Sequence, residues 1–362
     1  MGINGFRVVD ADGHGGELPD WQQRIPAVLG DRLVAWKQRC KDHYARLAIP
    51  GGGLAREGDQ YRARSAVTRA EIRDGMFDPA ARLADMDLEG IDVTVNFTGG
   101  AGEEWALLDR DLAIAVCRAL NDAKAAFNAH APERFKGVAI VPMIDPAAAA
   151  AELRRAVTEL GLVACVTRQH VRDRNLDDPS FDVLWAEAER LGVPVCLHGG
   201  GQAPDQVPIA VDRFHSRLTV HALTHPLGNM IGIMCFTVGG VLHRFPKLRV
   251  GFMESGCGWL PFWLERLDEH WERMPEQAPG IDRKPSEYFM DGRCFIGCDP
   301  DERTLAATVE LLGDRRIVYA SDYYHWDCRF PDSARLIADR SDLGHDTKQR
   351  ILADNARELY GL

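Results

Sequence analysis

Short apolar runs recur along the chain. Each is broken by glycine, proline or an acidic residue and followed by a longer segment of helical spacing. Eight such runs read as strands: residues 6–10, 92–97, 135–141, 162–167, 194–198, 248–254, 293–297 and 317–321. Helical periodicity predicts 106–130, 146–160, 179–191, 218–245, 260–274, 302–312 and 347–360, the second opening with a proline suited to a first turn. Strands that alternate with helices predict a parallel sheet with right-handed crossovers. Eight such units predict an α/β fold of the (β/α)8 TIM-barrel type, one domain over residues 1–362. A doubly wound open sheet is the alternative. It is weakened because the turn after the first strand, Asp12-Gly13-His14-Gly15-Gly16, is too acidic to cradle a pyrophosphate.

One stretch breaks the rhythm. Residues 18–77 are too long for a strand-to-helix loop and predict a helical insertion, a lid over the barrel mouth. Its part 21–75 holds eleven Lys/Arg against six Asp/Glu, a local excess of positive charge in a chain of net −11. A solvated helical face explains that excess; so does a lid that binds an anionic handle such as the phosphates of coenzyme A.

Composition narrows the classes. At 46 % hydrophobic residues the chain can bury a sizeable core. The net charge of −11 argues against a nucleic-acid or acidic-membrane partner. No apolar run reaches the roughly 18–20 residues of a bilayer-spanning helix. The N-terminus lacks a basic region followed by an apolar stretch, so a cytoplasmic protein is expected. Nine cysteines, an odd number without a C-x-x-C pair, fit a reducing compartment.

Barrels of this kind gather their chemistry where strands end. Asp12 and His14 leave the first strand on one face, with Glu17 just beyond. The fourth strand runs into Arg168 and His170, the fifth ends at His198, the sixth at Glu254, the seventh leads to Asp299, and the eighth to Asp322 and His325. His221 and His225, four apart on one helical face, are a further chelating pair, of which His221 is the candidate ligand. Each residue alone has an ordinary explanation: a satisfied core histidine at 198, an ion pair of Glu254 with Arg249 or Arg266, a turn cap at Asp322. Together, so many carboxyl and imidazole groups in one dry mouth would be costly unless a cation joined them. Trp259, Phe262, Trp263, Tyr323, Tyr324 and Trp326 are candidates for an apolar pocket beside it.

Asp10-x-Asp12-x-His14, His198, Glu254-x-Gly256-x-Gly258-Trp259 and Ser321-Asp322-Tyr323-x-His325 resemble the amidohydrolase-related barrels, in the branch of aminocarboxymuconate-semialdehyde decarboxylase. The stretches 241–248 and 355–361 extend the resemblance over nearly the whole chain outside 21–75. On it, His14, His198 and Asp322 match metal ligands. Two positions depart: Asp12 stands where these barrels place the first His of His-x-His, and Glu254 where a His follows strand six. Two added negative charges weaken a single zinc ion as a Lewis acid toward water and suit two harder cations.

That pattern is similar to the barrel-fold non-haem di-iron monooxygenases, typified by the hydroxylase of a diterpenoid coenzyme A thioester on the platensimycin and platencin pathways. The resemblance implies hydroxylation of an apolar, terpenoid-like, coenzyme A-linked small molecule in secondary metabolism. Two iron ions would be held by Asp12, His14, Glu17, His198, His221, Glu254 and Asp322. Asp322, Glu254 and His325 would be the catalytic groups. Molecular oxygen and an external electron donor would be required, and a homo-oligomer, a dimer, is expected. The alternative is a hydrolase or decarboxylase with one zinc or manganese ion, where Asp322 or Glu254 is the general base. A barrel that has lost its metal and serves only as a binding scaffold would lack ligands that this chain keeps.

Overall fold

The computed structural model describes residues 2–16, 18–46, 73–98, 108–199, 206–207, 209, 213–214, 217–325 and 327–362. Eight strands form one sheet whose spatial order is its chain order. They are β1 (Val9–His14), β2 (Val93–Phe97), β3 (Phe135–Ile140), β4 (Ala164–Thr167), β5 (Val195–His198), β6 (Val250–Met253), β7 (Cys294–Cys298) and β8 (Ile317–Tyr319). Every neighbouring pair is parallel. All eight predicted strands are present, so the (β/α)8 expectation is met.

The helices are α1 (Gly30–Arg46), α2 (Pro79–Glu89), α3 (Arg110–Asn128), α4 (Pro146–Thr158), α5 (Asp182–Leu191), α6 (Arg217–Phe236), α7 (Val241–Arg244), α8 (Leu260–Arg273), α9 (Pro285–Met290), α10 (Leu305–Leu312), α11 (Ser333–Ala338), α12 (His345–Gln349) and α13 (Asn355–Tyr360). Their ends follow local chemistry. Asp78 accepts from the amides of Ala80 and Ala81 ahead of Pro79, and Asp145 accepts from Ala148 ahead of Pro146. Gly90 and Gly192 end α2 and α5 with left-handed φ of 76° and 69°.

The core has two layers. Phe135, Cys165, Leu197, Phe252, Ile296 and Tyr319 pack outward against the helices. Val9, Val95, Val138, Ala164, Cys196, Met253, Phe295 and Val318, one from each strand, fill the barrel interior with Leu359 and Tyr360 of α13. The Tyr360 hydroxyl donates to the carbonyl of Ala11 at 2.7 Å, tying this floor to β1. Closure between β8 and β1 is made at the mouth. The amide of Ser321 donates to Asp10 Oδ1 (2.9 Å), that of Asp322 to the carbonyl of Asp12 (2.9 Å), and that of His14 to the carbonyl of Tyr323.

The first strand differs from its expected bounds of 6–10. It runs from Val9 to His14, so Asp12 and His14 lie within it. Pairing with β2 also slips by one residue between Asp10 and Gly13. That bulge separates Asp10 from Asp12: Asp10 meets Arg82 of α2, Thr94 and Ser321, while Asp12 meets His14 and His198.

The described part of the insertion packs Trp21, Ile25, Leu29, Leu33, Trp36 and Cys40 against Leu112, Val116 and Leu120 of α3. Residues 47–72 of the expected lid lie outside the described residues. Among the described residues no helix is long and apolar enough to cross a membrane. The nine cysteines are free thiols, eight of them buried.

Candidate metal centre

Four strand ends converge on one cluster at the mouth. His14 Nε2 lies 3.6 Å from Asp12 Oδ1 and 3.1 Å from Asp322 Oδ1, and His198 Nε2 lies 3.5 Å from Asp12 Oδ2. The two Nε2 atoms of His14 and His198 are 3.2 Å apart. Two neutral imidazole lone pairs at that separation repel, unless a proton or a cation lies between them. Ring orientation is set from behind: His14 Nδ1 faces the carbonyl of Thr98 at 3.2 Å, and His198 Nδ1 the carbonyl of Gly199 at 3.0 Å. An N–H donated at each Nδ1 leaves Nε2 as the lone-pair end, turned inward.

Asp12 is fully buried, and neither of its carboxylate oxygens has a hydrogen-bond partner among the described residues. Burial pushes its pKa well above the usual carboxylate range, reinforced by Asp322, Glu254 and Asp10 and opposed by His14. Burial pushes His198 down to about 4, which leaves it neutral and able to ligate. A buried bare carboxylate beside inward lone pairs is the donor set of a cation site. The residues present therefore fit a metal ion. Oxygen and nitrogen atoms of Asp12, His14 and His198 lie within 4.8 Å of one another, as do those of His14, Glu254 and His325.

Glu254 has a different role from Asp12. Its Oε2 lies 3.2 Å from both His198 Nδ1 and His225 Nε2, and its Oε1 3.4 Å from His325 Nδ1. Burial works against its charge, yet His225 and His198 hold its pKa well below the usual range. His325 Nδ1 lies 2.6 Å from Asp322 Oδ1, and its ring stacks on His14 with centroids 3.9 Å apart. Burial opposes the imidazolium, but Asp322 and Glu254 hold its pKa well above the usual value. Glu254 and Asp322 also share a backbone peculiarity, φ of 53° and 52°. A non-glycine residue in this left-handed region costs on the order of 1 kcal/mol, strain that is typical of functional positions.

The cluster thus brings together Asp12, His14, His198, Glu254, Asp322 and His325. Glu17 and Trp326 lie outside the described residues. His221 joins the cluster too: its ring lies 4.4 Å from that of His225, and His221, His225 and Glu254 place ligand atoms within 4.8 Å of one another, with His225 Nε2 at 3.2 Å from Glu254. The spacing of four flagged the pair. Its phase comes from packing, because a Cβ on Gly199 would stand 2.1 Å from the His225 ring. His170 lies instead in a two-stranded ribbon (His170–Val171 with Arg174–Asn175), its Nδ1 facing the carbonyl of Arg172 at 2.9 Å. Asp299 is exposed on the rim. The expected aromatic lining is partly committed elsewhere. Tyr323 donates to Asp85 at 2.6 Å under the guanidinium of Arg82, and the indole N–H groups of Trp259 and Trp263 donate to the carbonyls of Ser255 and Met230.

An eight-stranded parallel barrel whose mouth gathers histidines and aspartates around a cation-fitting pocket is the architecture of the amidohydrolases. The family profile described as Amidohydrolase matches residues 40–362, and the chain belongs to that family. It is similar to the 2-amino-3-carboxymuconate-6-semialdehyde decarboxylase of Dictyostelium discoideum, 28 % identical over 81 % of this chain and 79 % of the relative. A gamma-resorcylate decarboxylase of Rhodococcus jostii is 29 % identical over 78 % of this chain and 87 % of the relative. In three dimensions it is similar to the 5-carboxyvanillate decarboxylase of Novosphingobium aromaticivorans with bound manganese, at TM-score 0.77 and 20 % identity over 100 % of this chain and 99 % of that one.

These relatives overturn the oxygenase expectation. They are decarboxylases, lyases rather than oxidoreductases, so the di-iron monooxygenase, its two iron ions and its diterpenoid substrate are set aside. The geometry shows why the carboxylate count misled. Glu254 is matched by imidazoles on both oxygens, so it adds little uncompensated negative charge for a second cation to neutralise.

Proposed function

We propose that this chain is a metal-dependent decarboxylase whose substrate carries its carboxylate on an aromatic ring or a conjugated chain. The observation that carries the reading is the buried, bare Asp12 carboxylate facing the Nε2 atoms of His14 and His198. The decarboxylase relatives support the reaction class. Asp12, His14, His198 and Asp322 would hold one divalent ion, manganese or zinc. When bound, such an ion supplies Lewis acidity and an anchor for the substrate.

The remaining chemistry belongs to the chain. Decarboxylation breaks the carbon–carbon bond to the carboxylate. The electron pair stays on the substrate carbon, carbon dioxide departs, and that carbon takes up one proton. His325 suits the proton transfer. Asp322 Oδ1 lies 2.6 Å from its Nδ1 and keeps the ring charged, which leaves the Nε2 proton to be given away. His198, neutral and wedged between Phe97 and Glu254, keeps its orientation. The reaction is redox-neutral and needs neither oxygen nor an electron donor.

The test uses metal-depleted protein reconstituted with Mn²⁺ or Zn²⁺ and held under strict anaerobiosis. It is offered a panel of aromatic and conjugated carboxylic acids that includes 2,6-dihydroxybenzoate and 5-carboxyvanillate. The expected result is metal-dependent release of carbon dioxide matched one-to-one by the decarboxylated product. Turnover that demands oxygen, or hydrolysis without carbon dioxide, overturns the reading.

A further inference from the structure

Glu254 reaches its three imidazoles only because the backbone turns sharply after β6, and a second carboxylate grips that turn. Glu302, from the loop after β7, accepts the amide of Cys257 on Oε1 at 3.0 Å and on Oε2 at 2.9 Å. It also accepts that of Gly258 on Oε1 at 2.6 Å and, more weakly, the Cys257 thiol at 3.3 Å. The Thr304 hydroxyl donates to the same carboxylate at 2.8 Å. The fit is close. A Cβ on Gly258 would stand 2.9 Å from Glu302 Oε1 and 2.0 Å from Thr304 Oγ1, and one on Gly256, itself at φ +62°, 3.3 Å from Glu302. Backbone amides that converge on one acceptor in this way need a full carboxylate, since an amide side chain offers a single acceptor oxygen.

We propose that Glu302 is a positioning residue for the metal centre, acting through Glu254. Its carboxylate fixes the turn 255–258, which holds Glu254 at φ 53° with Oε2 at 3.2 Å from His198 Nδ1. Glu254 Oε2 shares the Nδ1 side of His198 with the carbonyl of Gly199 and so helps to turn Nε2 toward Asp12. This is the carboxylate–imidazole–metal relay by which outer groups tune affinity. The proposal rests on the reading of Asp12, His14, His198 and Asp322 as the ion's donors.

Calorimetric titration of metal-depleted protein with Mn²⁺ tests it on the full chain, using Glu302→Gln, Glu254→Gln and the double variant. Glu302→Gln is expected to weaken Mn²⁺ binding on the order of 10-fold, while the metal-free melting temperature stays close to that of the parent. In the Glu254→Gln background the same change is expected to add nothing, because the relay is already cut. Equal loss in both backgrounds, or no loss in either, overturns the proposal in favour of a merely structural turn. Should Glu302→Gln fail to fold, Thr304→Val removes one donor to the same carboxylate and is read through the same pair of backgrounds. Coupled Mn²⁺ binding without carbon dioxide release from any acid would sink the decarboxylase reading and leave this one standing.

Discussion

Asp10 and Asp12 stand two residues apart on one strand, both fully buried, in opposite surroundings. Asp10 accepts the amide and hydroxyl of Ser321 at 2.9 and 2.7 Å and the Thr94 hydroxyl at 2.9 Å, with Arg82 at 3.8 Å. Asp12 has no donor among the described residues. The first arrangement closes a barrel; the second leaves a charge that only a cation or a proton can balance. Burial of a carboxylate therefore says little by itself. What separates a structural aspartate from a ligand is whether the fold supplies its donors.

The sharpest way to break this contrast is to remove the bare carboxylate. Asp12→Asn is expected to cost at least about 10³-fold in kcat/KM, roughly 4 kcal/mol of transition-state stabilisation. The metal-free variant should melt no lower than the parent, since an uncompensated buried charge has gone. Calorimetry and steady-state kinetics on the same preparation check both halves.

Asp10→Ala should do the reverse. It strands Arg82 and the Ser321 donors and is expected to lower stability by about 3–5 kcal/mol in urea unfolding. Mn²⁺ affinity of the folded fraction should change far less than in Asp12→Asn.

A third test sharpens the Asp10 side through its neighbour Glu89. Burial lifts Glu89 to about 7, partly offset by the Ser333 hydroxyl and by Arg82. The folded chain therefore holds this proton more tightly than the unfolded chain, whose value is near 4.5. Stability from this group is lost as pH rises from about 4.5 to about 7 and is level above that, a span of about 3 kcal/mol. Glu89→Gln should remove that slope and be the more stable protein at pH 8, with little difference at pH 4. Unfolding curves across that range decide it.

Much of the fold was legible in the sequence because buried parallel strands are continuous apolar runs, and all eight were located. β1 departs from its expected bounds of 6–10 because polar residues read as a strand end. At a catalytic mouth a strand continues through Asp10, Asp12 and His14, and hydropathy cannot distinguish that from a loop. The cluster at the mouth was legible from strand ends, since Asp12, His14, His198, Glu254 and Asp322 do converge. What sequence could not supply was pairing. That Glu254 is spoken for by His198, His225 and His325 depends on where α6 and the turn after β8 come to rest. Without those contacts its charge reads as free, which favours a second metal ion and the oxygenase reaction that the relatives overturn.

The bond from the Tyr360 hydroxyl to the carbonyl of Ala11 joins α13 to the neighbour of Asp12. The floor beneath the cluster is therefore shared between α13 and β1. Any change that loosens α13 from beneath the strands would therefore reach Asp12 across a single peptide unit.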